Sequence, residues 1–216
     1  MDRTEITQKT VEFISSEFES EGSGHDWFHV DRVRRLALRL GQTESSEPFI
    51  IEMGALLHDL DDWKLTASES HFPFKAQKWL AEMEVEEEVV TLILEVIEDV
   101  SYQGAGIETP VRSVEAAVVQ DADRLDAIGA IGIARTFAYG GHKSRLIYDP
   151  SIKPVMHSDF QSYKNSTAPT INHFYEKLLL LKDRMNTNSA KSIAEQRHWF
   201  MENYLEQFYD EWEAKK

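Results

Sequence analysis

Cysteine is absent from the 216 residues, which excludes disulfide frameworks, zinc fingers, iron–sulfur clusters and thiol nucleophiles together. It also fits a reducing, cytoplasmic setting. Positive charge is scarce: 23 Lys and Arg stand against 38 Asp and Glu, a formal net charge of −15. A general binder of long nucleic acid or of anionic membranes needs a basic surface, so neither class fits. No segment approaches the roughly 20 uninterrupted apolar residues that span a bilayer. The polar, acidic start MDRTEITQKTVEF lacks the apolar stretch of a signal peptide. Repeats, low-complexity tracts and a credible interdomain linker are missing too. Hydrophobic residues at 42% are enough to build a core, which excludes a disordered chain. The expectation is one soluble cytoplasmic domain that needs no covalent staple.

What is present is helical periodicity. Trp27, Val30, Val33, Leu36, Ala37 and Leu40 recur in steps of three or four, which makes one helical stripe. A helix from 48 to about 60 opens on Pro48 and is apolar on most sides, so it should run through the middle of the molecule. Residues 73–83 and 86–100 read as two further helices, and 101–106 as a breaker loop. One long helix is expected from 110 to about 137, and two more at 170–185 and from 189 to about 212. Only 145–148 resembles a strand. The fold class is therefore all-α: one helical bundle over 1–216, with a loop at about 140–169 and C-terminal helices at about 170–212. That loop has no clear periodicity and reverses the charge of the chain, with Lys143, Arg145, Lys153 and Lys164 against Asp149 and Asp159. A cationic loop on an anionic protein suits a negatively charged substrate; it also fits a basic surface excursion.

Three clusters carry potential chemistry. His58-Asp59 ends the most apolar helix, where a carboxylate and an imidazole are costly unless paired or metal-bound. Taken alone, the pair fits a hydrogen-bonded helix cap equally well. Gln120-Asp-Ala-Asp-Arg-Leu-Asp126 places three carboxylates within six residues of another apolar helix, which requires a compensating cation. An EF-hand is excluded, since the turn glycine and the closing glutamate are both missing. In Gly24-His-Asp-Trp-Phe-His29, His25 and His29 lie at i, i+4 on one face, a spacing that chelates metals. Asp26 stands where a zincin needs glutamate, so a metalloprotease is a poor match.

His29 with Arg32-Val33, His58-Asp59 and Ala122-Asp123-Arg124-Leu125, in that order on apolar helices, resembles the HD-domain superfamily of metal-dependent phosphohydrolases. GHDWFHVDRV, ALLHDLDDWK, QDADRLDAIGAIGIARTF, HFYEKLLLLKDRMNT and AEQRHWFM resemble a small bacterial branch associated with nucleoside-triphosphate pyrophosphohydrolase activity. The resemblance implies His29, His58, Asp59 and Asp123 as ligands of one divalent ion. Such a mixed nitrogen and oxygen site suits Mn²⁺ or Mg²⁺, with Fe²⁺, Co²⁺, Ni²⁺ or Zn²⁺ as alternatives. It implies Asp62, four residues past His58, as the group that activates or orients the attacking water. Asp61 and Asp62 also fit a plain helix end.

Lys64, Arg124, Lys143, Arg145 and Lys177 are candidates to neutralise substrate phosphate, and His25 and Asp26 to orient His29 or hold a hydroxyl. The implied reaction is hydrolysis of a nucleoside or deoxynucleoside triphosphate to monophosphate and pyrophosphate. The alternatives are a monophosphatase, a cyclic- or alarmone-nucleotide hydrolase, or a non-catalytic metal-stabilised binding module. The expected partner is a small phosphorylated substrate, with no long nucleic acid and no membrane. The apolar C-terminal helices fit packing within one chain or across a homodimer.

Overall fold

The first helix forms because Asp2 caps it: its carboxylate accepts from Glu5 N at 2.8 Å, and α1 then runs Arg3–Glu17. Asp26 repeats the device at α2 (Trp27–Gly41), and Pro48 occupies the first turn of α3 (Pro48–Leu57). The chain continues through α4 (Phe74–Glu82), α5 (Glu87–Val100), α6 (Val114–Asp126) and α7 (Gly129–His142). It ends with α8 (Asn172–Glu176), a 3₁₀ helix (Leu178–Arg184) and α9 (Asn188–Trp212). The computed structural model describes residues 1–19, 26–61, 72–100, 109–156 and 167–216. Among them there is no strand, and no helix is long and apolar enough to cross a membrane. The architecture is all-α. It falls into two compact units, one within Met1–Gln103 and Glu108–Asp123, the other within Arg124–Lys216.

In the first unit α3 is the central element, as its all-round apolarity implied. Phe49, Ile50, Ile51, Met53, Gly54, Ala55, Leu56 and Leu57 are all buried, against α1, α2 and α5. Arg34 grips Glu52 through two nitrogens, Nε at 2.8 Å and Nη2 at 2.6 Å, fixing α2 against α3. At Gly54 a Cβ would stand 2.6 Å from Val96 Cγ1, so only glycine allows α5 this close. Gly54→Ala should cost about 1–3 kcal/mol by overpacking. In a chain of this size that lowers Tm by roughly 3–10 °C, and an unchanged Tm would show that Val96 has room to move.

In the second unit two helix expectations are corrected. The single helix expected from 110 to about 137 breaks at Ala127–Ile128. Ile128 is extended (φ −125°, ψ 166°) and Gly129 is left-handed at φ +75°, a turn glycine makes without strain. Arg197 seals the break by donating to the Leu125 carbonyl. The helix expected at 170–185 is interrupted at Lys177 (φ −144°, ψ −59°). Beyond it Leu178 and Leu181 are both buried, a three-residue repeat that matches 3₁₀ winding.

Within the loop expected at about 140–169, the described part is tied back to the fold by its own hydrogen bonds. Helix α7 runs to His142, and Arg145 N bonds back to Gly140 O at 2.8 Å. Leu146 and Ile147, read as strand-like, accept from Thr170 N and Ile171 N without forming a strand. Val155 N donates to Glu176 Oε1 at 3.0 Å. Lys164 lies outside the described residues.

Candidate metal centre

Helix α2 delivers His29 in its first turn, where Asp26 Oδ1 accepts from the His29 amide at 2.8 Å. The turn ending α3 delivers His58 and Asp59, and α6 delivers Asp123. All four belong to the first unit. His29 Nε2 lies 3.2 Å from Asp59 Oδ2 and 3.5 Å from Asp123 Oδ1. His58 Nε2 lies 3.5 Å from Asp59 Oδ1 and 4.0 Å from Asp123 Oδ1. Ligands at about 2.0–2.2 Å from a common ion are separated by roughly 3.0–3.5 Å, and these spacings are close to that. Ligand atoms of His29, His58 and Asp59 all lie within 4.8 Å of one another, and all three residues are buried.

The tautomer of neutral His58 is set by its other nitrogen. Nδ1 lies 2.8 Å from the Ala55 carbonyl oxygen, which only accepts, so Nδ1 carries the proton. Nε2 then offers a bare lone pair, buried and with no hydrogen-bond donor among the described residues. A buried lone pair facing two carboxylates is unfavourable without a cation, and this outer hydrogen bond is the arrangement that orients a metal-ligating histidine. The residues therefore fit a divalent ion. The Asp123 side chain is 29% exposed while that of His29 is fully buried, so the group opens to solvent on its Asp123 side.

The comparisons with known proteins agree with this geometry. The HD domain family matches residues 27–128. The uncharacterised protein YpgQ of Bacillus subtilis is 39% identical over 196 residues, 90% of this chain and 88% of that one. The chain belongs to the HD-domain superfamily. Among solved structures, an HD-superfamily hydrolase from Bacillus thuringiensis is 46% identical, with a TM-score of 0.76 over 99% of this chain and all of that one. Bacillus subtilis YpgQ in complex with ADP superposes with a TM-score of 0.75 and 34% identity, covering 95% and 97% of the two chains. Fold and buried group together make this HD-domain protein a metal-dependent phosphohydrolase.

Asp62, Lys64 and His25 lie outside the described residues. Arg124, next to Asp123 on α6, is buried and donates to the Arg184 carbonyl. Lys143 and Arg145 lie over the Tyr139 ring, 5.7 and 5.5 Å from its centroid. Lys177 is half-buried just past α8. Arg124, Lys143, Arg145 and Lys177 belong to the second unit. Asp26 acts on His29 through the backbone amide, as the cap of α2.

One role in the site had no sequence signal. Asp61 accepts from Lys75 N at 3.0 Å and Ala76 N at 3.2 Å, so it caps α4 from 14 residues upstream. A carboxylate that far from its helix is not recognisable as a cap from spacing.

Proposed function

We propose that this HD-domain protein hydrolyses nucleoside or deoxynucleoside triphosphates to the monophosphate and pyrophosphate. The observation that carries the reading is the convergence of two imidazole Nε2 atoms and two carboxylates, three of the four residues buried. His29, His58, Asp59 and Asp123 would hold one divalent ion, Mn²⁺ or Mg²⁺ by donor type. Such an ion supplies an acidified water and draws charge from a phosphoryl oxygen. The nucleotide class is supported by the ADP complex of the relative YpgQ.

The chain's own residues do the rest. His58 is held by Ala55 so that Nε2 faces the reaction centre, which avoids reorganisation during turnover. Asp59 and Asp123 neutralise the cation, and the exposed edge of Asp123 leaves room for the triphosphate. Asp62 takes the proton of the water that attacks the α-phosphorus, while the bond from that phosphorus to the bridging oxygen breaks and pyrophosphate leaves. Lys64, Arg124, Lys143, Arg145 and Lys177 are the candidates to neutralise the departing charge.

Product analysis on the metal-loaded protein tests the assignment. Pyrophosphate release from at least one triphosphate is expected. Orthophosphate release, or opening of a cyclic nucleotide without pyrophosphate, would replace it with a phosphomonoesterase or cyclic-nucleotide reading.

A further inference from the structure

The second unit contains a cleft that involves none of the residues assigned to the ion. It is about 210 Å³ in volume, and Tyr148, Ile152, Lys153, Asn172, Tyr175 and Tyr209 are among its walls. That is smaller than the roughly 300–1,000 Å³ of a site that engulfs a drug-sized ligand. A single ring system fits inside, with its substituents left at the opening.

The walls are rigid and aromatic. The Tyr148 ring meets Tyr209 and Trp212 edge-on, with centroids 5.4 and 5.1 Å away, so α9 fixes its orientation. The segment opposite is held by its own bonds: Asp149 Oδ1 accepts from Ser151 N at 2.9 Å, and Ile152 N donates to Asp149 O at 3.1 Å. Pro150 and Pro154 stiffen it further.

Polar groups stand at defined points on this aromatic surface. Asn172 is 1% exposed, and its Nδ2 donates to Ile152 O at 3.1 Å. Its Oδ1 accepts no hydrogen bond among the described residues, which leaves an oriented acceptor in the wall. The Tyr175 and Tyr209 hydroxyls pair at 3.2 Å, so one phenol proton of the two remains to be given elsewhere. Burial, then the bond to Tyr175, pushes the Tyr209 phenol above the usual tyrosine range, and it stays a donor at neutral pH. Lys153 is exposed, lines the cleft and makes no ion pair among the described residues. On a chain of net charge −15, an unpaired cation beside an aromatic cleft selects for an anionic substituent on the ring.

Flat aromatic walls accept a π-face, an amide oxygen and a phenol hydroxyl read a heterocycle's edge, and the ammonium takes a phosphate. We propose that this cleft binds a nucleoside monophosphate independently of the metal centre, with the base against the tyrosines and the phosphate at Lys153. The inference concerns binding and does not depend on what the metal centre hydrolyses.

Titration calorimetry of AMP, GMP, CMP and UMP into the full chain, stripped of metal with a chelator, tests it. At least one should bind, with the same affinity in the Asp59→Ala variant. Lys153→Glu should weaken that binding about tenfold or more through loss of a charge-assisted contact. Lys78→Glu makes the same charge change at an exposed lysine of the first unit and should leave the affinity as it was. Failure of all four nucleotides to bind overturns the proposal. So does binding that disappears in Asp59→Ala or survives Lys153→Glu intact.

Discussion

Asp59→Ala is expected to remove the bound ion and the hydrolytic activity together. Its carboxylate lies within reach of both imidazoles, 3.2 Å from His29 Nε2 and 3.5 Å from His58 Nε2. Among its described neighbours, Asp61 is engaged in capping α4 and does not replace it. Changing groups around a metal ligand typically costs 10–100-fold, so losing the ligand should lower turnover by more than about a hundredfold. Stability gives a second readout. An ion at about 100 times its Kd stabilises the folded chain by about 2.7 kcal/mol, which raises Tm by roughly 5–10 °C in a chain of this size. The wild type should show that rise on adding metal and the variant should not. If Tm falls but turnover persists, the ion is structural and the catalytic reading is wrong.

The second large effect is expected from Asp62→Asn, which should lower kcat by about 10²–10⁴ while the metal-dependent rise in Tm persists. The neighbour of Asp62 bears on its role. Both acids of Asp61-Asp62 were open to being a helix end, and the structure commits Asp61 to the amides of Lys75 and Ala76. Asp61→Ala should therefore cost about 1 kcal/mol of stability, as loss of a cap does, with metal binding retained. If the two variants exchange these behaviours, the base is Asp61 and the assignment of Asp62 fails.

Much of the first unit was legible because its helices obey one period each. The α2 stripe and the all-round apolarity of α3 are read directly from residue spacing, and both hold in the structure. The acidic cluster on α6 was only half legible. Spacing puts Asp123 and Asp126 on one face and Asp121 on another, and three-dimensional surroundings separate the first two. Asp121 is fully buried, Asp126 is held by Arg135 Nη1 at 2.8 Å, and Asp123 faces the two histidines.

The second unit was harder to read. Helical periodicity persists across the break at Gly129, because the residues on both sides keep an apolar face while one glycine φ redirects the chain. The 3₁₀ stretch after Lys177 also looks helical, since i, i+3 burial satisfies either winding. The tied segment before Met156 was illegible for a different reason. Its bonds run to Thr170, Ile171 and Glu176, side chains and amides remote in sequence.

The most direct measurement is turnover against metal occupancy in one preparation. The metal-stripped chain is titrated with Mn²⁺, the bound ion is quantified by equilibrium dialysis, and hydrolysis of a triphosphate panel is followed at each point. Turnover should be absent without metal, rise in proportion to bound ion and level off at one ion per chain. Hydrolysis by the stripped protein, or full occupancy without hydrolysis of any phosphate compound, would contradict the assignment of His29, His58, Asp59 and Asp123 as a catalytic metal centre.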